Sequence, residues 1–338
     1  MDKNKIIKFI TIGHVDAGKS TTLGHLLYLT KNVTDHEFKN IEKEAELNGK
    51  KKFSYAYILD SDNDERVRGI TQTYNKYDFT YNNQHYQMLD TPGHKMYIKE
   101  MISAISKNSD SIVCVLISAI ESEFNAGFIN GMTKDDILIA RGCNIKNIFI
   151  LINKIDMIEE IFRKNKIDEI KTKIDKFINK LGFDSISYIC VSGWTGQNLI
   201  KQEDDLNDMS LIEKLNEIGN KINKEEFNNK LIEKNKFKIS FNAYNIPNIM
   251  TLGYNCIIHL VDNTINDNEY ELECELECEI GAINDLKNNK INHLKNNDKV
   301  YLGIKLLNNK SINIYNDQRI ILRYNDTILG FGKVIISN

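Results

Sequence analysis

Four short clusters along this chain have the residue types and order of a site for a phosphorylated purine. The first, GHVDAGKST, runs from Gly13 to Thr21 and satisfies G-x-x-x-x-G-K-[ST] through Gly13, Gly18, Lys19 and Ser20. Its glycines let the backbone wrap phosphates, while amide N–H groups and a helix N-terminus supply a field for anions. His14, Val15, Asp16, Ala17 and Thr21 are therefore expected to line the phosphates with them. Lys19 is expected to reach the β- and γ-phosphates, and Ser20 to offer its hydroxyl to Mg²⁺. The second cluster is DTPGH, Asp90 to His94. Here Asp90 would hold Mg²⁺ through water, Gly93 would offer its amide to a γ-phosphate, and His94 would stand where water attacks in line.

The third cluster, Asn153, Lys154 and Asp156, reads N-K-x-D. A carboxylate at Asp156 that accepts the N1 and N2 donors of guanine rejects adenine, because adenine would leave that buried acid unpaired. Ser192, Gly193 and Trp194 follow as the fourth cluster, with backbone amides expected near the purine O6. Between the first two lies DERVRGIT, ending at Thr71. The Thr71 hydroxyl could bind Mg²⁺ and its amide the γ-phosphate, so that this loop orders only with a triphosphate. A glycine-rich structural turn would account for the first cluster alone, but not for the order of all of them.

Such a site needs a rigid frame. Apolar runs at Ile6–Ile12, Tyr86–Leu89, Ile112–Ser118, Ile148–Ile152 and Ile186–Val191 alternate with helical stretches. That pattern predicts an α/β P-loop domain with a doubly wound, mostly parallel sheet. One hairpin is expected around Asn82-Asn83. Residues 201–236 are polar and helical, with Ser210 and Glu213 spaced as a capping box. After Phe237, about six short alternating runs predict a small antiparallel β-barrel. The expected division is a nucleotide-binding domain over 1–200, a helical linker over 201–236 and a barrel over 237–338.

The chain has 338 residues, 41% hydrophobic and 27% charged, enough for two or three globular domains. A net charge of −3 argues against a general polyanion binder, DNA included. Of six cysteines (Cys114, Cys143, Cys190, Cys256, Cys274, Cys278), several sit in apolar runs, as buried thiols do in a reducing compartment. Cys274 and Cys278 would share one strand face, about 13 Å apart, too far to share a metal. The first apolar run leads straight into a motif, and no stretch has membrane-span length, so a cytoplasmic protein is expected.

Together these motifs resemble the elongation factor 1-alpha branch of translational GTPases, which includes the termination-factor GTPase and the rescue GTPase that partners pelota. The likeness extends through GHLLYLTKNVTDHEFKNIEKEAELNGKKKFSYAYILD, DSDNDERVRGIT, DTPGHKMYIKEMISAISKNSDSIVCVLISA, ESEFNAGFINGMTKDDILIARGCNIKNIFILINKID and CVSGWTGQNL. The tail segments FKISFNAY, LGYNCIIHL, KNNDKVYLGIKL and QRIILRYNDTILGFGKVII are similar to the family's third domain. The resemblance implies binding of GTP and GDP with Mg²⁺, and slow hydrolysis until an external partner such as the ribosome activates it. It implies Val15 and Ile70 as a hydrophobic gate, His94 as the catalytic histidine, and Asp16 beside a monovalent cation. Ribosomes and a release-factor-like or pelota-like protein are the implied partners, in elongation, termination or rescue. The family's second barrel domain has no counterpart here, which, with the acidic net charge, argues against ordinary aminoacyl-tRNA delivery. A nucleotide-dependent scaffold that no longer acts on ribosomes is the alternative reading.

Overall fold

Short apolar runs rich in β-branched residues and bounded by turn residues favour strands over helices. A computed structural model describes residues 6–59, 74–108, 110–221, 232–234, 236–247, 250–261, 275–308 and 312–336. Six runs become Ile7–Ile12 (β1), Asn75–Tyr81 (β2), Gln84–Asp90 (β3), Ile112–Ser118 (β4), Asn147–Asn153 (β5) and Ser185–Cys190 (β6). They form one sheet in the order β2-β3-β1-β4-β5-β6. Only the edge pair β2–β3 is antiparallel. It is the expected hairpin, and Asn82 and Asn83 turn it with φ of 50° and 61°. The other pairings are parallel, and every residue of β4 is buried, as a strand covered on both faces requires. Register sets Thr11 of β1 opposite Asp90 of β3, and Ser118 of β4 opposite Asn153 of β5. With Ile152 of β5 opposite Cys190 of β6, all four clusters thus leave the sheet at one end, where doubly wound folds bind ligands.

The chain separates into two compact units. One comprises Met1–Ala104, Asp110–Asp136 and Ile145–Asn223; the other comprises Ile105–Ser109, Ile137–Asn144 and Lys224–Asn338. The core of the first draws on Phe9, Leu23, Leu26, Met88, Leu116, Phe149 and Val191. It also takes in Leu211, Ile212, Leu215 and Ile218, one apolar face of the helix Leu211–Gly219. That helix lies in the segment read from sequence as a linker, yet it packs as part of this unit. Tyr86 Oη donates to Asn216 Oδ1 at 2.6 Å beneath it. Its polar composition concealed a buried stripe at helical spacing. The capping box is formed as expected: Ser210 accepts from the Glu213 amide, and the Glu213 side chain accepts from the Ser210 amide.

The second unit contains β7 (Ile232–Lys234), β8 (Lys236–Ala243), β9 (Asn255–Val261), β10 (Glu275–Asn284), β11 (Lys299–Leu306), β12 (Ile312–Ile314), β13 (Arg319–Tyr324) and β14 (Thr327–Ile335). Six of these close a barrel in the order β10-β11-β8-β14-β13-β9, so no edge of that sheet is left open. Strict alternation buries Phe237, Ile239, Phe241 and Ala243 of β8, and Val300, Leu302, Ile304 and Leu306 of β11. Cys256 and Cys278 face each other across β9 and β10 with Sγ atoms 3.4 Å apart. Cys274 lies outside the described residues. Burial pushes the Cys114, Cys143 and Cys190 thiols up, consistent with inert core thiols. Among the described residues no helix is long and apolar enough to cross a membrane.

The capping box makes the helix testable: Ser210→Ala should lower unfolding stability by about 1 kcal/mol. The loss should appear as a lower urea midpoint at unchanged m-value.

Candidate functional site

The turn after β1 is built by a tight 3₁₀ segment, Val15–Ala17, and by Gly18 at φ 84°, a left-handed conformation that a side chain would strain. The helix Lys19–Leu29 starts directly after it, so the unsatisfied amides of its first turn face the loop. Lys19 is buried, and its Nζ donates to the carbonyls of Gly13 at 2.7 Å and His14 at 3.1 Å. Burial lowers its pKa, while the charges of Asp90, Asp136 and Asp16 hold it up. Val15 and Thr21 are half-buried, Ala17 is buried, and Asp16 is exposed beside the half-buried His14.

Asp90, buried at the end of β3, accepts from Ser20 Oγ at 2.6 Å and from Thr11 Oγ1 at 3.4 Å. A hydroxyl and a carboxylate so placed are hard oxygen donors of the kind Mg²⁺ takes, and they fit the ion implied by sequence. Gly93 closes over the same spot: a Cβ there would come within 2.4 Å of Lys19 Nζ. His94 is exposed, and its Nδ1 accepts from its own turn at the Met96 amide, 3.3 Å away. Its ring stands edge-on to Tyr97 at 6.3 Å. Ile70 and Thr71 lie outside the described residues.

Asn153 ties the loops together. Its Nδ2 donates to the Ala17 carbonyl at 2.8 Å and to Thr22 Oγ1 at 3.3 Å. Its Oδ1 accepts from the amides of Lys154 and Gly193, both at 2.8 Å. Lys154 takes a left-handed φ of 65° and pairs with Glu123 at 2.7 Å. Two residues on, Asp156 Oδ1 is buried with no hydrogen-bond partner among the described residues. A carboxylate oxygen desolvated in this way is poised for a donor.

The fourth cluster differs from expectation in one respect. The Ser192 amide donates to the Gln197 carbonyl and the Gly193 amide to Asn153, so two of the three amides expected near O6 already have protein acceptors. Among the described residues the Trp194 amide has none.

Two features escaped the sequence reading. His25 is buried in the helix Lys19–Leu29 and meets the Gly193 carbonyl at 2.8 Å. In the sequence it is one polar residue within an apolar helical run, without a motif of its own. Asp136 is wholly buried in the helix Thr133–Gly142, and among the described residues neither carboxylate oxygen makes a well-formed hydrogen bond, the Gly13 amide being the donor that acts on it. Burial pushes its pKa up to about 8, against the pull of Lys19 and of the Gly13 amide. In sequence it read as one more acid in a helical first turn, where the dipole favours acids anyway.

The chain matches the family described as "Elongation factor Tu GTP binding domain" over residues 4–262. The elongation factor 1-alpha of Hyperthermus butylicus is 36% identical over 215 residues, covering 62% of this chain and 48% of that protein. That of Ignicoccus hospitalis is 37% identical over 203 residues, covering 59% and 46%. The chain therefore spans about half the length of the curated relatives it matches. Among solved structures, the S. cerevisiae Ski7 GTPase-like domain bound to GTP superposes with a TM-score of 0.77 at 14% identity, covering 99% of this chain and 98% of that one. A bacterial selenocysteine-specific elongation factor gives 0.53 at 15% identity, covering 98% of this chain and 58% of that one. At such identities the likeness is of fold alone.

Asp136 sets a pH dependence whose sign is fixed. Its folded pKa lies above the ordinary 3.8, so the stability it contributes is complete below 3.8 and lost as pH rises to about 8. Asp136→Asn should remove that loss. In thermal unfolding of nucleotide-free protein, the variant should gain on the parent chain from pH 5 to pH 8; a constant difference would refute the assignment.

Proposed function

Because the chain belongs to the family of the elongation factor Tu GTP-binding domain, we propose that it binds GTP and GDP, hydrolyses GTP, and changes conformation between the two states as a translation factor does. The observation that carries the choice of base is the buried Oδ1 of Asp156, without a hydrogen-bond partner among the described residues, three residues beyond the Asn153 that joins the loops. A guanine presenting its N1 and N2 donors satisfies that acid, whereas adenine leaves it desolvated and unpaired.

In this reading Gly13 to Thr21 cradle the phosphates, and Lys19 leaves its loop carbonyls to meet the β- and γ-oxygens. Ser20 and Asp90, with Thr71, would hold Mg²⁺, which when bound neutralises charge shared by those phosphates. Gly93 offers its amide to the γ-phosphate. His94 orients the attacking water once an external group turns it from its local turn, with Val15 and Ile70 as the gate beside it. A hydrolysis that waits on such a group is slow alone. The exposure of His94 and its bond within its own turn support this dependence. Asp16 is the residue placed for a monovalent cation.

The proposed partner is the ribosome, with a release-factor-like or pelota-like protein, in elongation, termination or rescue. Residues 1–200 would form the GTPase domain and 237–338 the counterpart of the family's third domain, without the barrel that normally lies between them. Ordinary aminoacyl-tRNA delivery would then be lost. The full set of motifs favours this active factor over a scaffold.

Two variants test the reading. Asp156→Asn should weaken GDP binding and shift preference toward xanthosine diphosphate, measured by competition with a fluorescent GDP; unchanged guanine affinity would refute the base assignment. His94→Ala should abolish the acceleration of phosphate release by ribosomes while leaving GTP affinity intact. Equal stimulation of both proteins would remove His94 from the mechanism.

A further inference from the structure

A residue that touches no nucleotide can still determine how a base is read, if it orients the peptide that does. The Gly193–Trp194 peptide is such a group. Its carbonyl is gripped by His25 at 2.8 Å, and on the far side of Gly193 the preceding amide is held by Asn153 at 2.8 Å. Because a peptide is planar and trans, its C=O and N–H point in opposite directions. Whatever holds the Gly193 carbonyl therefore aims the Trp194 N–H the other way. That N–H is the amide of this loop with no acceptor among the described residues.

The grip itself is built into the fold. A carbonyl only accepts, so the imidazole must donate from Nδ1, and burial, which lowers its pKa, keeps the ring neutral. The ring stacks on Tyr55 at 3.8 Å and 10°. Tyr55 is backed in turn by Phe38, stacked at 4.8 Å. Its backbone is pinned at Gly24, where a Cβ would come within 1.9 Å of the Tyr55 carbonyl. Trp194 meets the edge of the same Tyr55 ring at 5.9 Å. The segment after the first helix thus reaches this loop twice, through the His25 imidazole and through the Tyr55–Trp194 ring contact.

We propose that His25 is a positioning residue for purine recognition: by holding the Gly193 carbonyl against the Tyr55 stack, it points the Trp194 amide at the purine O6. This rests on the reading of the pocket as a guanine site and names the donor for one edge of the base.

The test couples His25 to that one atom. His25→Phe keeps a ring to stack on Tyr55 but cannot bond Gly193. Affinities are measured for GDP and for 6-thioguanosine diphosphate, which keeps the N1 and N2 donors and replaces O6 by a poorer acceptor. The single tryptophan, Trp194, reports binding in each case. In the parent chain GDP should bind more tightly than the thio analogue. In His25→Phe, GDP affinity should fall about tenfold, the worth of one hydrogen bond, and the preference for GDP should vanish. A general loosening of the loop would weaken both nucleotides alike and keep the preference, which overturns the proposal, as does unchanged GDP binding. Should His25→Phe not fold, Tyr55→Leu removes the backing of the imidazole without touching Gly193, and must erode the same preference. A parent chain that binds no guanine nucleotide ends the guanine reading and this one together. A parent that binds GDP beside a His25→Phe variant that matches it ends only this one.

Discussion

The carboxamide of Asn153 is the point on which the site depends. One planar group donates to the P-loop at Ala17 and accepts from the loop after β6 at Gly193, so two segments remote in sequence are held in one geometry. Such a group is satisfied only when both loops are correctly placed, and a misplacement of either leaves a buried amide unpaired at a cost of about 1–3 kcal/mol. Strand β5 carries Asn153 at its end, parallel strands β1 and β6 deliver the two loops to it, and the sheet register leaves little freedom in how they arrive.

Around that tie the fold collects charge where water is scarce. Lys19 is buried among loop carbonyls, with Asp90 and Asp136 as acids acting on it. Burying a cation is tolerable only with such partners. Asp90 has hydroxyl donors in Ser20 and Thr11, whereas among the described residues Asp136 has no hydroxyl donor, and burial governs its proton.

A second layer is aromatic. His25, Tyr55 and Phe38 stack in sequence, and Trp194 caps the edge. These rings come from the first helix, the segment after it and the loop after β6. The segment after the first helix supplies Phe38 from the helix Asp35–Leu47 and Tyr55 from the turns beyond it, so its contact with the loop after β6 rests on two rings. Stacked rings constrain tilt more than they add free energy, and tilt is what a hydrogen-bonded imidazole must preserve.

The sequence by itself determined the strands, the hairpin turn at Asn82-Asn83, the capping box at Ser210, and the P-loop after β1. Each of these is local: periodicity, turn chemistry and fixed spacing act within a few residues, so no knowledge of distant neighbours was needed. Tertiary structure alone decided that the helix Leu211–Gly219 belongs to the first unit's core, that Asp136 is desolvated beside Lys19, and that the Gly193 amide is spent on Asn153. It also decided that His25 faces Gly193 across 168 positions of chain. Burial and hydrogen-bond partnership are properties of contacts between segments far apart in sequence. An acid in a helical first turn or a histidine in an apolar run reads the same whether it meets water or a buried loop, and only the packed sheet settles which.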